Sequence, residues 1–495
     1  MCFQSDNTTS KTATAACAVQ MGVVWLCVCA VLVANFHAAW GQQNSPGGYV
    51  HPLTEGPPST ALAEPLDGDP SALRAESGQP GQAFDSVVTD LGTADLAQRV
   101  SDLEAALERL DEKPPSPPKK PASGFSLHFH GHLLMDAVAF SQDAADKQRV
   151  NEQNAVGIPV ARIIAEGDGV GTMSYKIEFD YVWNLVGDLY LTIGKLPHLH
   201  NLRIGYMKEP FSLEQLESPK YTVFMERSLA RDVHPIIRRM GAMAFDMAPN
   251  ERATWAIGLF SDAPGFRVVR ADAFGGALTM RTTYLPWYDA ESSGRYMLHT
   301  AIAYSHRQAA QHTIRFRTLP GAHFASFIVD SGEIPAHTAD LLNTELALVH
   351  GPLSIQSEYT LGWIDAITQP NSQVRGSYVL VSYFLTGENR HYVNSKGIFS
   401  RITPFRNFIR TRDDRGCLQT GPGAWELKYR YSYVDAFDSG RLGAQQAGVH
   451  AVGVNWYLNP SSRVMAEYLV AASSPNNGQP DGVLNIFQMR AQFEF

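Results

Sequence analysis

Seven basic residues crowd one stretch of the chain, Arg203, Lys208, Lys220, Arg227, Arg231, Arg238 and Arg239, against five acids, Glu209, Glu214, Glu217, Glu226 and Asp232. Arginine grips an oxyanion through a planar fork of N–H donors and lysine acts as a point charge, so a row of both along a narrow passage draws small anions through it. The competing use of each base is a salt bridge that fastens the stretch to its surroundings, with Lys208–Glu209 and Glu226–Arg227 the pairs offered by adjacency. Arg231, Arg238 and Arg239 have fewer acids beside them and are the stronger anion contacts on that count. His234 would add a donor whose charge depends on pH. A second basic segment, 387–415, carries Arg390, Lys396, Arg401, Arg406, Arg410, Arg412 and Arg415 against Glu388, Asp413 and Asp414, and would form a basic mouth or pack beneath the fold.

Other chemistry is sparse. His128, His130 and His132 alternate and so share one face of a strand, a spacing open to a transition metal but equally at home on any polar strand face; no metal site is assigned. Neither a Gly-x-Ser-x-Gly elbow nor a His-Glu-x-x-His pair occurs, so no catalytic residue, no cofactor and no enzyme are expected. Of the five cysteines only Cys417 lies beyond residue 29, which excludes a disulfide framework or a cysteine-held metal in the remainder.

The basic stretch is positioned by strands. Leu202, Ile204 and Tyr206 alternate with Arg203, Gly205 and Met207, the period of a half-buried strand, and a second such run follows Arg238. By strand phase Arg203 and Arg238 point to the same interior as the charged residues of other strands. The connection between them, 209–237, carries Pro210, Pro219 and Pro235; loops of this length are uncommon unless functional. It is expected to fold into the lumen of a barrel and narrow it.

Alternation persists from Phe125 to Phe495. Tyr175, Ile177, Phe179 and Tyr181 alternate with Ser174, Lys176, Glu178 and Asp180; Trp425, Leu427, Tyr429, Tyr431 and Tyr433 alternate with Glu426, Lys428, Arg430 and Ser432. Runs of about ten residues with one charged face and aromatic ends match tilted membrane strands, whereas globular strands are usually about five or six long. Strand starts fall near 125, 158, 171, 187, 201, 238, 252, 273, 295, 342, 353, 375, 423, 447, 462 and 485. That is about sixteen, and counting Thr313–Thr318 would move the number toward eighteen. The reading is an all-β transmembrane antiparallel barrel over 125–495. Short connections (Gly351-Pro352, Asn459-Pro460) alternate with long ones near 140–157, 209–237 and 308–340, and parity puts the exceptional insert Gly387–Gly423 on the short-turn, periplasmic side. The chain ends FQMRAQFEF, an amphipathic strand closed by Phe495.

Ahead of the barrel, residues 1–41 read as a signal peptide around the apolar run Met21–Ala34, 42–90 as a flexible linker, 91–113 as a short coiled coil seamed by Leu96, Val100, Leu103, Leu107 and Leu110, and 114–124 as a Pro-rich linker. Two heptads are marginal alone, so the coiled coil would need partner chains. Charged residues make up only 18% of the chain and mean hydropathy is −0.16, far from a helical membrane protein or a disordered one.

Three segments resemble the phosphate-selective porins O and P. They are LRIGYMKEPFSLEQLESPKYTVFMERSLARD (202–232), with its Gly-x-x-Lys-x-Pro-Phe and Glu-Arg-Ser order, SYFLTGENRHYVNSKGIFSRITPF (382–405) leading to GAWELKYRYS (423–432), and VGVNWYLNPSSRVMAEY (452–468) with the terminal strand. The resemblance implies a sixteen-stranded barrel in the outer membrane of a diderm bacterium, usually a homotrimer in contact with outer-membrane lipid, passing small anions such as phosphate; nucleic acid is not an expected partner. The charged faces are mixed rather than a clean arginine ladder. A weakly selective diffusion porin, or a barrel serving mainly to anchor the envelope, are the alternatives.

Overall fold

The computed structural model describes residues 124–233, 237–261, 276–309, 312–368, 372–408, 411–412, 418–437, 445–474 and 481–495. The signal peptide, linkers and coiled coil expected before Gly124 lie outside these, as do His234, Arg410, Arg415 and Cys417.

Sixteen long strands form the wall. The first seven are β1 His128–Gln142, β2 Ala155–Asp168, β3 Met173–Asp180, β4 Leu185–Leu196, β5 His200–Lys208, β6 Arg238–Met247 and β7 Ala253–Ser261. The rest are β8 Gly276–Tyr288, β9 Tyr296–Gln308, β10 Ile334–His350, β11 Leu353–Ala366, β12 Ser372–Phe384, β13 Ala424–Phe437, β14 Gln445–Asn459, β15 Ser462–Ser474 and β16 Gly482–Glu494. Each pairs antiparallel with the next, and β16 returns to β1, with Arg490 opposite Asp136, to close the barrel. Starts agree with the alternation to within a few residues except at β10, which begins at Ile334 rather than near 342: Pro335 and the weakly alternating AHTAD blur its first turns. Thr313–Ile314 and Arg317–Thr318 are two-residue strands inside a connection, not barrel staves.

Polarity is inverted relative to a water-soluble barrel. On β16, Phe487, Met489 and Phe493 are 49%, 42% and 50% exposed on the outer face, while Gln488, Arg490 and Gln492 on the inner face are 2%, 2% and 5% exposed. Hydrocarbon outside satisfies the first set and hydrogen bonds inside satisfy the second, which is the arrangement a bilayer demands.

Three connections turn inward. Residues 209–233 enter from the end opposite the short turns, as do 312–333, whereas 385–408 enters from the short-turn end. The first two pack on the inner wall of β12–β16 through Val223, Phe224, Leu229, Ala230, Ala322 and Ala325 against Val374, Leu380, Val434, Val449, Leu469 and Ile486. The barrel is therefore filled on its taller side. On the shorter wall, β2–β6, the inward Arg162 and Lys176 keep 18% of their side-chain surface, whereas Lys428 and Arg430 of β13 keep 0% and 2%.

Candidate functional site

The lumenal loop is built on one short helix. Ser212 takes a left-handed φ of 66° and caps α1, Leu213–Leu216, whose first N–H groups at Leu213 and Glu214 donate to the Glu358 carboxylate of β11 at 3.1 and 2.8 Å. At its other end the Lys208 ammonium donates to the carbonyls of Gln215, Leu216 and Glu217 at 2.7, 3.1 and 2.9 Å. Free helix ends need such partners, and here a strand residue and a barrel carboxylate supply both. Farther on, Lys428 holds the Val223 carbonyl at 3.0 Å and Arg463 holds that of Thr222 at 2.9 Å, so the loop runs to the β13–β15 wall.

The seven sequence-selected bases separate by partner. Arg238 is saturated by Asp188 at 2.6 Å and Glu178 at 3.0 Å, Lys220 lies 3.3 Å from Glu494, and Arg231 pairs with Asp232 while donating to Gln215. Lys208 spends its donors on carbonyls. Arg227 also binds only carbonyls, Glu214 at 2.8 Å and Glu217 at 2.9 Å. Arg203 donates to Thr192 at 3.1 Å and lies over the rings of Tyr190 and Phe245 at 4.1 and 4.8 Å. Arg239 reaches only the Arg238 carbonyl, leaving its Nε without a partner among the described residues. The adjacency pairs do not form: Glu209 meets Arg307 at 2.9 Å and Glu226 meets Arg490 at 2.8 Å, because neighbours in an extended chain point apart.

Two residues that the basic stretch did not point to complete the short wall. Arg162 of β2 bridges Asp180 at 2.8 Å and Glu178 at 3.1 Å, and Asp188 of β4 bridges Lys176 at 2.8 Å as well as Arg238. Their strand phase was the available signal: Arg162 lies in step with Ile164 and Glu166, Asp188 with Tyr190 and Thr192. Three cations and three carboxylates thus share this wall. His130 lies 3.0 Å from Glu166, and no metal-ligating group of three or more side chains forms among the described residues.

Between the loop and β1–β2 is a cavity of about 170 Å³ lined by Arg162, Arg227, Arg490 and His323, with Glu226 the acid among its lining residues. Arg227 is the base there whose charge no carboxylate touches. Its guanidinium is held down to about 10 by burial first and then by the neighbouring Arg231.

The loop and the periplasmic insert meet at a buried pair, Arg390 to Glu217 at 3.1 Å, both 2% exposed. Burial pushes the Glu217 carboxyl up from the ordinary 4.5 to about 7, despite Arg390. A carboxyl raised in the folded state contributes stability below its ordinary value that is lost as pH rises through 7. Docking of the two segments should weaken between about pH 5 and pH 8 by roughly 2–3 kcal/mol, and Glu217→Gln should flatten this dependence in thermal unfolding. A wild-type midpoint insensitive to pH over that window would refute the assignment.

The sequence profile described as phosphate-selective porin O and P matches residues 135–495. The chain belongs to that family. It is accordingly an outer-membrane channel of the anion-selective kind, not an enzyme. Porin O of Pseudomonas aeruginosa is 24% identical over 417 residues, 75% of this chain and 89% of its own length. An uncharacterised protein of Caulobacter vibrioides is 25% identical over 463 residues, covering 86% of this chain and 89% of its own. Among solved structures, Vibrio cholerae OmpT aligns with a TM-score of 0.48 at 12% identity over 77% of this porin and 100% of that chain.

Proposed function

We propose that anions, phosphate or related oxyanions foremost, cross this porin along the short-wall side of the lumen, past Arg239 and Arg227 and on to Arg203. The observation that carries the reading is Arg227: a guanidinium fixed by two carbonyls, with no carboxylate in hydrogen-bond contact, lining a cavity of about 170 Å³ whose other lining bases outnumber its one acid. In this reading Lys208, Lys220, Arg231 and Arg238 hold the constriction in shape and add to its potential. Arg227→Gln should weaken phosphate block of the current by about tenfold, the worth of one charge-assisted contact, while Arg227→Lys keeps most of it. The comparison of Arg227→Gln with Arg227→Lys in planar bilayers tests this.

One observation favours weak selectivity instead. The three bases Arg162, Lys176 and Arg238 are matched by Glu178, Asp180 and Asp188, so this part of the wall is neutral overall.

A trimer is supported by the short wall. β3 has 8 residues and β5 and β7 have 9 each. At about 3.4 Å per residue and a tilt of about 45°, nine residues span roughly 21 Å of the normal, less than the ~25 Å apolar band of such barrels. The exposed Tyr181, Val182 and Leu185 at the rim of this wall are better covered by neighbouring copies than by lipid headgroups. A coiled coil at 91–113 would add a trimerising stalk, and lipid would contact the remaining outer face.

A further inference from the structure

We propose that the periplasmic insert builds, on the outer face of the barrel, a seat for one anionic phospholipid of the inner leaflet, with Arg406 on its phosphate and the rings of Trp425, Trp456 and Phe408 along its glycerol and upper acyl chain.

The insert straddles the rim of the wall. Its hairpin, Tyr392–Val393 against Ile398–Phe399, lies in the lumen, where Tyr392 Oη is 2.7 Å from His299 Nδ1 of β9 and Arg281 of β8 donates to the Gly397 carbonyl at 2.9 Å. Phe408 lies on the other face. On β13 and β14 the inward residues Ala424, Glu426, Asn455 and Tyr457 are at most 6% exposed, so Trp425 and Trp456 between them point outward. These two are cross-strand partners, and their rings stack at 4.9 Å. Phe408 meets the Trp456 ring in a T-shaped contact at 4.5 Å, its N–H donating to the Leu458 carbonyl at 2.7 Å. A loop residue is thus added to two strand residues on the lipid side.

The ledge so formed is rigid. Both indole N–H groups donate to the Pro422 carbonyl, at 3.1 and 2.9 Å. Gly423 has φ +70°, and a Cβ there would lie 2.4 Å from the Tyr457 carbonyl oxygen and 2.9 Å from Trp456 Nε1, so only glycine lets Pro422 come this close. The N–H groups of Gly423 and Gly421 donate to the Arg406 and Asn407 carbonyls at 3.1 and 2.6 Å, which ties the segment before Phe408 to the same turn. With the indole donors spent inside the protein, the ledge offers a ligand apolar ring surface.

Its level is a headgroup boundary. On β14 the outward run from Trp456 to Gln446 rises roughly 24 Å at about 3.4 Å per residue and a tilt of about 45°, close to the ~25 Å apolar band of such barrels. Trp456 therefore stands at the periplasmic edge of the hydrocarbon, and Phe408, beside Leu458 at the strand end, stands among headgroups. Phe405 and Phe408 are 66% and 42% exposed. Arg406 between them is exposed, and its side chain makes no hydrogen bond or ion pair among the described residues. Rings at strand ends are common to membrane barrels; the Phe408 and Arg406 that the insert adds make this place a site. Aromatic surface at this depth seats the apolar part of a lipid, and a guanidinium grips a phosphate diester through two donors while its stem lies on apolar surface. The same charge repels the ammonium of a zwitterionic headgroup, so a lipid of net negative charge fits best.

The test uses the purified porin in phosphatidylcholine vesicles that carry equal fractions of an acyl-brominated lipid, either phosphatidylglycerol or phosphatidylcholine. Bromine quenches indole fluorescence on contact, and the quenching lost in the double variant Trp425→Phe with Trp456→Phe is the signal of the ledge. In wild type that signal should show about fivefold preference for phosphatidylglycerol, the worth of one base at a membrane surface. Arg406→Gln should bring the ratio close to one, Arg406→Lys should retain part of the preference, and Phe408→Ser should weaken quenching by both lipids. The β-sheet circular dichroism of each variant checks that it has folded, and the Arg406 side chain, bonded to nothing described, leaves the barrel intact when replaced. Equal quenching by both lipids in wild type, or a phosphatidylglycerol preference that Arg406→Gln leaves in place, would overturn the proposal.

Discussion

Replacing Arg490 with methionine should lower the unfolding free energy of the barrel by about 3–5 kcal/mol, the usual result of stripping one partner from a buried ion pair. Arg490 is the side chain on which closure of the wall and seating of the loop converge. From β16 it grips both oxygens of Asp136 on β1 at 2.7 Å, reaches Glu226 at 2.8 Å and holds the Met225 carbonyl. Without it Asp136, 4% exposed, is left as an unpaired charge at the seam. Arg490→Lys should recover only part of the loss, since an ammonium cannot fork across both Asp136 oxygens. Removing both charges with Arg490→Met and Asp136→Leu should recover much of it, because two buried charges are then no longer desolvated. Denaturant unfolding followed by tryptophan fluorescence measures all three, and a single Arg490→Met variant as stable as wild type would show that the seam is held elsewhere.

The second large effect is expected from the short wall. In the double variant Glu178→Gln with Asp188→Asn, Arg162, Lys176 and Arg238 lose all their carboxylates but Asp180. These bases are partly exposed to the lumen, so the released charge acts on passing ions instead of being buried. The anion-to-cation permeability ratio should rise about tenfold at low salt and less at 1 M, where screening shortens to ~3 Å. The matched acids would then be the restraint on selectivity that this porin carries. An unchanged reversal potential would mean that ions pass elsewhere than along β2–β6.

Strand count and phase were legible because a membrane wall enforces a strict period of two on both faces: Trp425 to Tyr433 could be assigned inside and outside residue by residue, and so could the closing strand. β10 was misplaced where Pro335 interrupts the pattern. The constriction was legible in place but not in detail. Lys208 looked like an anion contact, yet its partners are carbonyls at 215–217, created only when the chain turns back as α1. Arg238 looked free of acids because Glu178 and Asp188 reach it from strands 50 or more residues earlier. Arg227, beside Glu226 in sequence, is the base left uncompensated, since Glu226 turns to Arg490. Sequence adjacency reports little about charge pairing where alternate side chains leave opposite faces.

The most direct measurement of the central claim is the reversal potential of the purified porin in a planar bilayer under a salt gradient, followed by titration with phosphate. Anion selectivity, with current blocked by phosphate and the block relieved by Arg227→Gln but not by Arg227→Lys, is the predicted result. Cation selectivity, or an anion current that phosphate leaves untouched, would contradict it.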